Sequence, residues 1–322
     1  MIAWILGTLA IAALVFVLLS PLESLRWWAD RGEREVRDTF ELLPEESCAD
    51  TDSHRFLVYL SGVGVLGGDE LSGRELAWLE SVAAEVPDVT VVADVFPYSV
   101  DNSGLLQRAT VWLWGFLDRV RRRMYSNPLH FLINFRNITQ VLVSSDPRYG
   151  PTQSIGLAQE IWHSLQRHGY RPGSGDPVYL AGFSGGAQMA LGAGWFLRGI
   201  GVPVSLISIG GIFGDDPGLD RMGHVWHLSG SKDRMQHLGD VVFPGRWPTA
   251  PLSTWGRAKR EGRVTKRVIG PMQHDGAKAY FGRRSFGPDG RNYAEITRDA
   301  VVEILREPAP ESPALPAGLG RR

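Results

Sequence analysis

Apolar positions along the chain follow two alternating patterns. Short apolar runs at 56–60 and 178–182 show the pattern of strands buried on both faces of a sheet, and residues 89–95, 203–209, 224–228 and 264–269, apolar with a few polar residues among them, also read as strands. Between them apolar residues recur every three or four positions, the pattern of helices with one packed side. The clearest such stretch carries Leu76, Leu79, Val82, Ala83 and Val86 behind a capping box, Ser72-Gly73-Arg74-Glu75. Others are 153–168, the small and helix-favouring residues after Ser184, and 293–305. Strands alternating with helices predict a mostly parallel α/β sheet with right-handed crossovers.

The alternation stops in four places. Residues 2–19 form an 18-residue stretch without charge or proline, which as a helix would rise roughly 27 Å, enough to cross a bilayer's hydrocarbon core. No basic residue opens the stretch and Ser20-Pro21-Leu22-Glu23 follows it, so it reads as an uncleaved anchor over residues 1–21 rather than a cleaved signal. Arg26, Arg31, Arg34 and Arg37 lie on its carboxyl side, which favours a cytoplasmic domain in a single-pass membrane protein. Residues 22–53 read as a charged amphipathic helix and a linker. Residues 98–150 replace the expected strand and helix with a helix-rich insertion that leaves the carboxyl end of the second strand, where it would cap a ligand site. Residues 237–251 read as loop, and the Pro-, Ala- and Gly-rich tail 307–322 as disordered. The folded domain is then 54–306.

Composition narrows the function. With 34 Lys and Arg against 35 Asp and Glu, the net charge of -1 argues against nucleic acid as a partner. The one cysteine, Cys48, excludes an intrachain disulfide and a thiolate zinc site, and the sequence calls for no metal and no cofactor.

Chemistry concentrates at three strand ends. The run from Val178 ends in Gly182-Phe183-Ser184-Gly185-Gly186 and a helical pattern follows, so Ser184 would sit on a tight strand-to-helix turn. Glycines at both positions two residues from the serine suit a turn too crowded for side chains. A serine hydroxyl near neutral pH needs a base, and the base needs an orienting carboxylate. Asp233 follows the strand ending at Leu228, in Ser229-Gly230-Ser231-Lys232-Asp233. His274 follows the last strand, in Gly270-Pro271-Met272-Gln273-His274-Asp275. Asp215 and Asp216 are substitutes for the acid, and Asp275 reads as a solvated neighbour. His224, His227 and His237 lie close to the acid in sequence, the first two in or beside a strand, where a structural role is expected.

On these residues the chain resembles the α/β-hydrolase superfamily from about His54 to Glu307. The resemblance implies a sheet trimmed to about six strands, with Ser184 as nucleophile, His274 as general base and Asp233 as its orienter. It also implies an oxyanion hole from the backbone N–H groups of Gly185 and Val63. The activity it implies is hydrolysis of a carboxylic ester or thioester. The anchor and the apolar insertion favour a lipid-like acyl substrate as the small-molecule partner. Two rivals stand beside it: a membrane-tethered scaffold without catalysis, and a dinucleotide-binding protein using Gly62-Val63-Gly64-Val65-Leu66-Gly67. The second is the weaker, because the following helix signal starts at Ser72 and Asp94 lies farther from the last glycine than that fingerprint requires.

Overall fold

A computed structural model describes residues 54–63, 71–97 and 150–311, together with isolated positions elsewhere. The order of elements is β1 (Phe56–Leu60), α1 (Gly73–Glu85), β2 (Thr90–Val92), α2 (Gly150–Arg167), β3 (Val178–Phe183) and α3 (Gly186–Gly199). There follow β4 (Val204–Ile209), β5 (Val225–Gly230), α4 (Gln236–Val242), α5 (Thr254–Arg260), β6 (Val264–Gly270) and α6 (Tyr293–Arg306). The six strands make one sheet in the order β2-β1-β3-β4-β5-β6, and every pairing is parallel.

Successive strand residues point to opposite faces, so a run apolar throughout needs a cover on each side. Both covers are present. Phe56, Val58 and Leu60 of β1 join a core with Leu157, Ile161 and Leu165 of α2 and the small residues of α3. Leu57 and Tyr59 join a second core with Trp78 and Val82 of α1 and Val301 and Ile304 of α6. The result is a three-layer α/β structure.

Some boundaries differ from those the sequence predicts. β2 is three residues long rather than spanning 89–95, because as the edge strand it pairs only with β1, over Phe56 to Val58. The stretch read as loop contains α4, and α5 begins where Ser253 caps the Gly256 N–H. Part of the predicted linker packs on the domain: Leu43 N–H donates to Gln166 Oε1 (2.9 Å) and Ala49 N–H to the Arg167 carbonyl (3.0 Å).

Among the described residues no helix is long and apolar enough to cross a membrane. The predicted anchor falls, apart from Gly7 and Ile11, outside those residues, as do most of the 22–42 helix, the tail beyond 311 except Pro313, and most of the insertion. Of the insertion, the described positions 138, 139, 141, 142 and 144 are helical.

The topology fixes where a site can form. From β1 the chain passes to β2 on one side, then returns to place β3 on the other, so the crossovers diverge at the carboxyl ends of β1 and β3. Open parallel sheets bind ligands in the crevice such a switch opens.

Candidate active site

Ser184 stands at that switch, one residue beyond β3. Its φ of 53° makes it the one non-glycine residue at positive φ among those described. Such a conformation is costly for a side-chain-bearing residue and persists only where its surroundings overdetermine it. Here the Ser184 N–H donates to the Ile209 carbonyl at the end of β4 (3.1 Å), and the Ser184 carbonyl accepts from Ile212 N–H (3.0 Å) and Ala187 N–H (3.2 Å). The flanking glycines are forced by space. A Cβ on Gly182 would lie 2.5 Å from Ala187 backbone atoms, and one on Gly186 would lie 2.4 Å from the Leu60 carbonyl oxygen.

His274 comes from the loop after β6 and Asp233 from the loop after β5. His274 Nε2 lies 2.8 Å from Ser184 Oγ, and its Nδ1 lies 3.0 and 3.1 Å from the two Asp233 oxygens. All three side chains are buried. A ladder irregularity at Ser229 and Gly230 releases the acid loop from the sheet. Gly230 lets the histidine loop close over it, since a Cβ there would lie 2.4 Å from the Met272 carbonyl oxygen. Phe183 stacks on the imidazole, ring centroids 5.4 Å apart at 22°.

Burial alone would push the Asp233 carboxyl upward, but its hydrogen bonds win and hold it below the usual carboxylate range. His274 supplies the largest part of that, followed by the Tyr280 hydroxyl, which donates to Asp233 Oδ2 at 2.7 Å. Met235 and Gln236 add backbone N–H donors to Oδ1 at 2.9 and 3.2 Å. The acid is therefore ionised and fixed, and a fixed carboxylate orients the imidazole so that Nε2 faces the serine.

Tyr280 is the member of this site that sequence reasoning missed. Besides donating to Asp233, its hydroxyl accepts from the Gly230 N–H at 2.8 Å, tying the acid to the strand that carries it. Burial first, then the Asp233 charge, pushes its ionisation far above the ordinary phenol range, so it remains a donor. Only its position six residues after His274, in a loop that must fold back under the acid, could have pointed to it.

The other candidates are engaged elsewhere. Asp215 Oδ1 accepts from the Thr254 hydroxyl and from Trp255 N–H (2.7 Å), at the start of α5. Asp216 accepts from Gln188 Nε2 and from Gly218 N–H, both at 2.7 Å, and burial pushes its carboxyl up to about 6. His224 meets Thr265 Oγ1 (2.8 Å), and His227 meets Ser208 Oγ (3.0 Å). Burial pushes His227 down to about 3, so it is neutral and structural. Asp275 is exposed beside the site, and so is His237. Asp94 is bonded to the Ser164 hydroxyl and to Arg167 (3.1 Å). A Cβ on Gly62 would meet the Phe183 ring at 3.0 Å, a packing reason for that glycine independent of any phosphate.

Ser184 and His274 open into a cavity of about 740 Å³. Val63 and Gly185, the predicted oxyanion donors, line it beside them. Its remaining wall is largely apolar: Phe183, Ile212, Val242, Phe243 and Phe281 from the domain, and Ile138, Val141 and Leu142 from the insertion. The insertion thus reaches the site through apolar side chains. Glu75, also in the wall, is held by the Tyr59 hydroxyl (2.7 Å) and by the Ser72 N–H (3.2 Å). Comparison of the chain with protein-family models, curated proteins and solved structures gives no match.

Proposed function

We propose that this chain is a serine hydrolase of the α/β-hydrolase type, cleaving a carboxylic ester or thioester with an apolar acyl group. The observation that carries the reading is the unbroken hydrogen-bonded line from Ser184 Oγ through His274 to Asp233, with the serine held at positive φ over a switch point. Each residue then has one task. His274 Nε2 takes the Oγ proton as Oγ attacks the carbonyl carbon, and the carbonyl π pair moves onto oxygen. The N–H groups of Gly185 and Val63 would stabilise that oxyanion, a donor worth about 3 kcal/mol of barrier. Collapse breaks the bond to the leaving group, whose oxygen or sulfur takes the proton from the imidazolium. Water then repeats the sequence on the acyl-serine and releases the carboxylic acid.

The cavity supports the apolar acyl group, since an alkyl chain there gains about 0.8 kcal/mol for each methylene removed from water. Residues 2–19 support a single-pass membrane anchor by length and lack of charge, with the arginines behind them favouring a cytoplasmic domain. The test is a series of p-nitrophenyl esters of increasing chain length. The reading expects kcat/KM to climb from acetate toward octanoate and to vanish in Ser184→Ala. Activity confined to acetate removes the lipid-like substrate, and activity that survives Ser184→Ala removes the mechanism.

A further inference from the structure

A second cleft of about 590 Å³ also borders the catalytic imidazole. It shares Met235 and His274 with the acyl cavity, and otherwise the two have different walls. The first is mainly apolar. The second carries Lys232, Arg234 and His237, with the neutral Ser231 and Gln273 between them. Its one acid is Asp233, whose oxygens are already taken by His274, Tyr280 and two backbone N–H groups. Lys232 and Arg234 are exposed, and among the described residues neither enters an ion pair. Both cations therefore face the cleft's solvent with their charge unspent.

Proton transfer says what such a cleft can hold. In the reaction proposed above, the leaving group takes its proton from His274 Nε2, so it must depart within hydrogen-bond reach of that nitrogen. The acyl carbon sits over Ser184 and its chain fills the apolar cavity. His274 lines both the acyl cavity and the second cleft, so the cleft adjoins the imidazole that hands the leaving group its proton. We propose that the substrate is an acyl ester or thioester whose leaving group carries a phosphate-like negative charge, gripped by Lys232, Arg234 and His237. This inference rests on the hydrolase reading and adds the class of leaving group to it. It divides the substrate by polarity, oily on the serine side and anionic on the histidine side. Arg234 can engage two phosphate oxygens at once and Lys232 adds a point charge.

The test measures binding without turnover. The full-length Ser184→Ala protein is titrated with 1-octanoyl glycerol 3-phosphate and with 1-octanoyl glycerol, which share the acyl group and differ in the charge of the part that would leave. The expected result is a preference for the phosphate ester of about tenfold or more at low salt, shrinking as ionic strength rises. In Ser184→Ala carrying Lys232→Gln and Arg234→Gln the preference collapses, and Lys232→Arg alone retains it. Equal affinity for the two ligands overturns the proposal, and so does an equal loss for both in the glutamine variant. A loss seen only with phosphatidylcholine vesicles containing phosphatidic acid, and not with the soluble ligand, also overturns it by assigning the cations to a lipid surface. Because this protein performs no chemistry, failure here is separate from failure of the hydrolase reading, which the p-nitrophenyl esters report.

Discussion

Tyr280→Phe removes one oxygen atom and leaves the ring, which packs edge-on against Phe183 (6.0 Å) and fills the space beside Gly210. The main chain stays anchored through the Thr297 hydroxyl, which donates to the Tyr280 carbonyl at 2.9 Å. Two hydrogen bonds disappear, the one donated to Asp233 Oδ2 and the one accepted from Gly230 N–H. An unmet buried N–H costs about 1–3 kcal/mol, and a bond to a charged acceptor is worth about 1.5–3 kcal/mol. Allowing for overlap, the variant should lose about 2–4 kcal/mol of stability, read as a lower urea midpoint at unchanged slope. The chemistry should suffer less, because His274 and two backbone N–H groups still hold the acid: kcat/KM falls about tenfold or less. The pH profile supplies the sign. Asp233 is held below its unfolded value, so its contribution is complete above the ordinary carboxylate range and is lost as pH falls through the folded value. Without the tyrosine hydroxyl that folded value rises, and acid inactivation starts at higher pH. A variant with wild-type midpoint and wild-type pH profile would refute the assigned role.

Three further outcomes follow from particular contacts. Asp216→Asn removes a buried carboxyl that burial pushes up to about 6. A raised acid makes the wild-type fold lose stability as pH rises from about 4 to 6, by about 3 kcal/mol in all, so the variant should have a flatter pH dependence in urea titrations, offset by a constant loss because its Nδ2 faces the donating Gln188 Nε2. A variant with the wild-type pH slope contradicts this. Gly186→Ala puts a methyl 2.4 Å from the Leu60 carbonyl oxygen and 2.6 Å from that of Ser61, and should lower Tm by about 6–12 °C; an unchanged melting curve would mean the elbow has room to shift. Leu142→Ser, in the cavity wall, should cut kcat/KM on an octanoate ester about tenfold relative to acetate. Equal effects on both esters would place the insertion away from the acyl chain.

Local chemistry was what the sequence made legible. β1 reads from five consecutive apolar residues, the start of α1 from a capping box that forms as predicted, and the elbow from glycines that the space around Ser184 demands. Asp233 and His274 could be found because each follows a strand end, and parallel strands bring all such ends to one edge. Tyr280 could not be found that way. Its partner is 47 residues earlier in the chain, and no period or spacing marks the contact. α4 was hidden because Gly239 and the neighbouring turn residues mask a seven-residue helix, and the shortness of β2 depends on its edge position, which only the strand order reveals. The cationic cleft is likewise a product of folding, since its walls come from two segments, 231–237 and 273–274, that follow different strands.

The central claim is that Ser184 is activated by His274. Its most direct measurement is intact-mass spectrometry, with peptide mapping, of the folded full-length protein after incubation with an alkyl fluorophosphonate. The account predicts a single covalent adduct on Ser184, absent in Ser184→Ala and formed about a hundredfold more slowly in His274→Ala. No adduct on the folded wild-type protein, or an adduct forming equally fast without the imidazole, would contradict it.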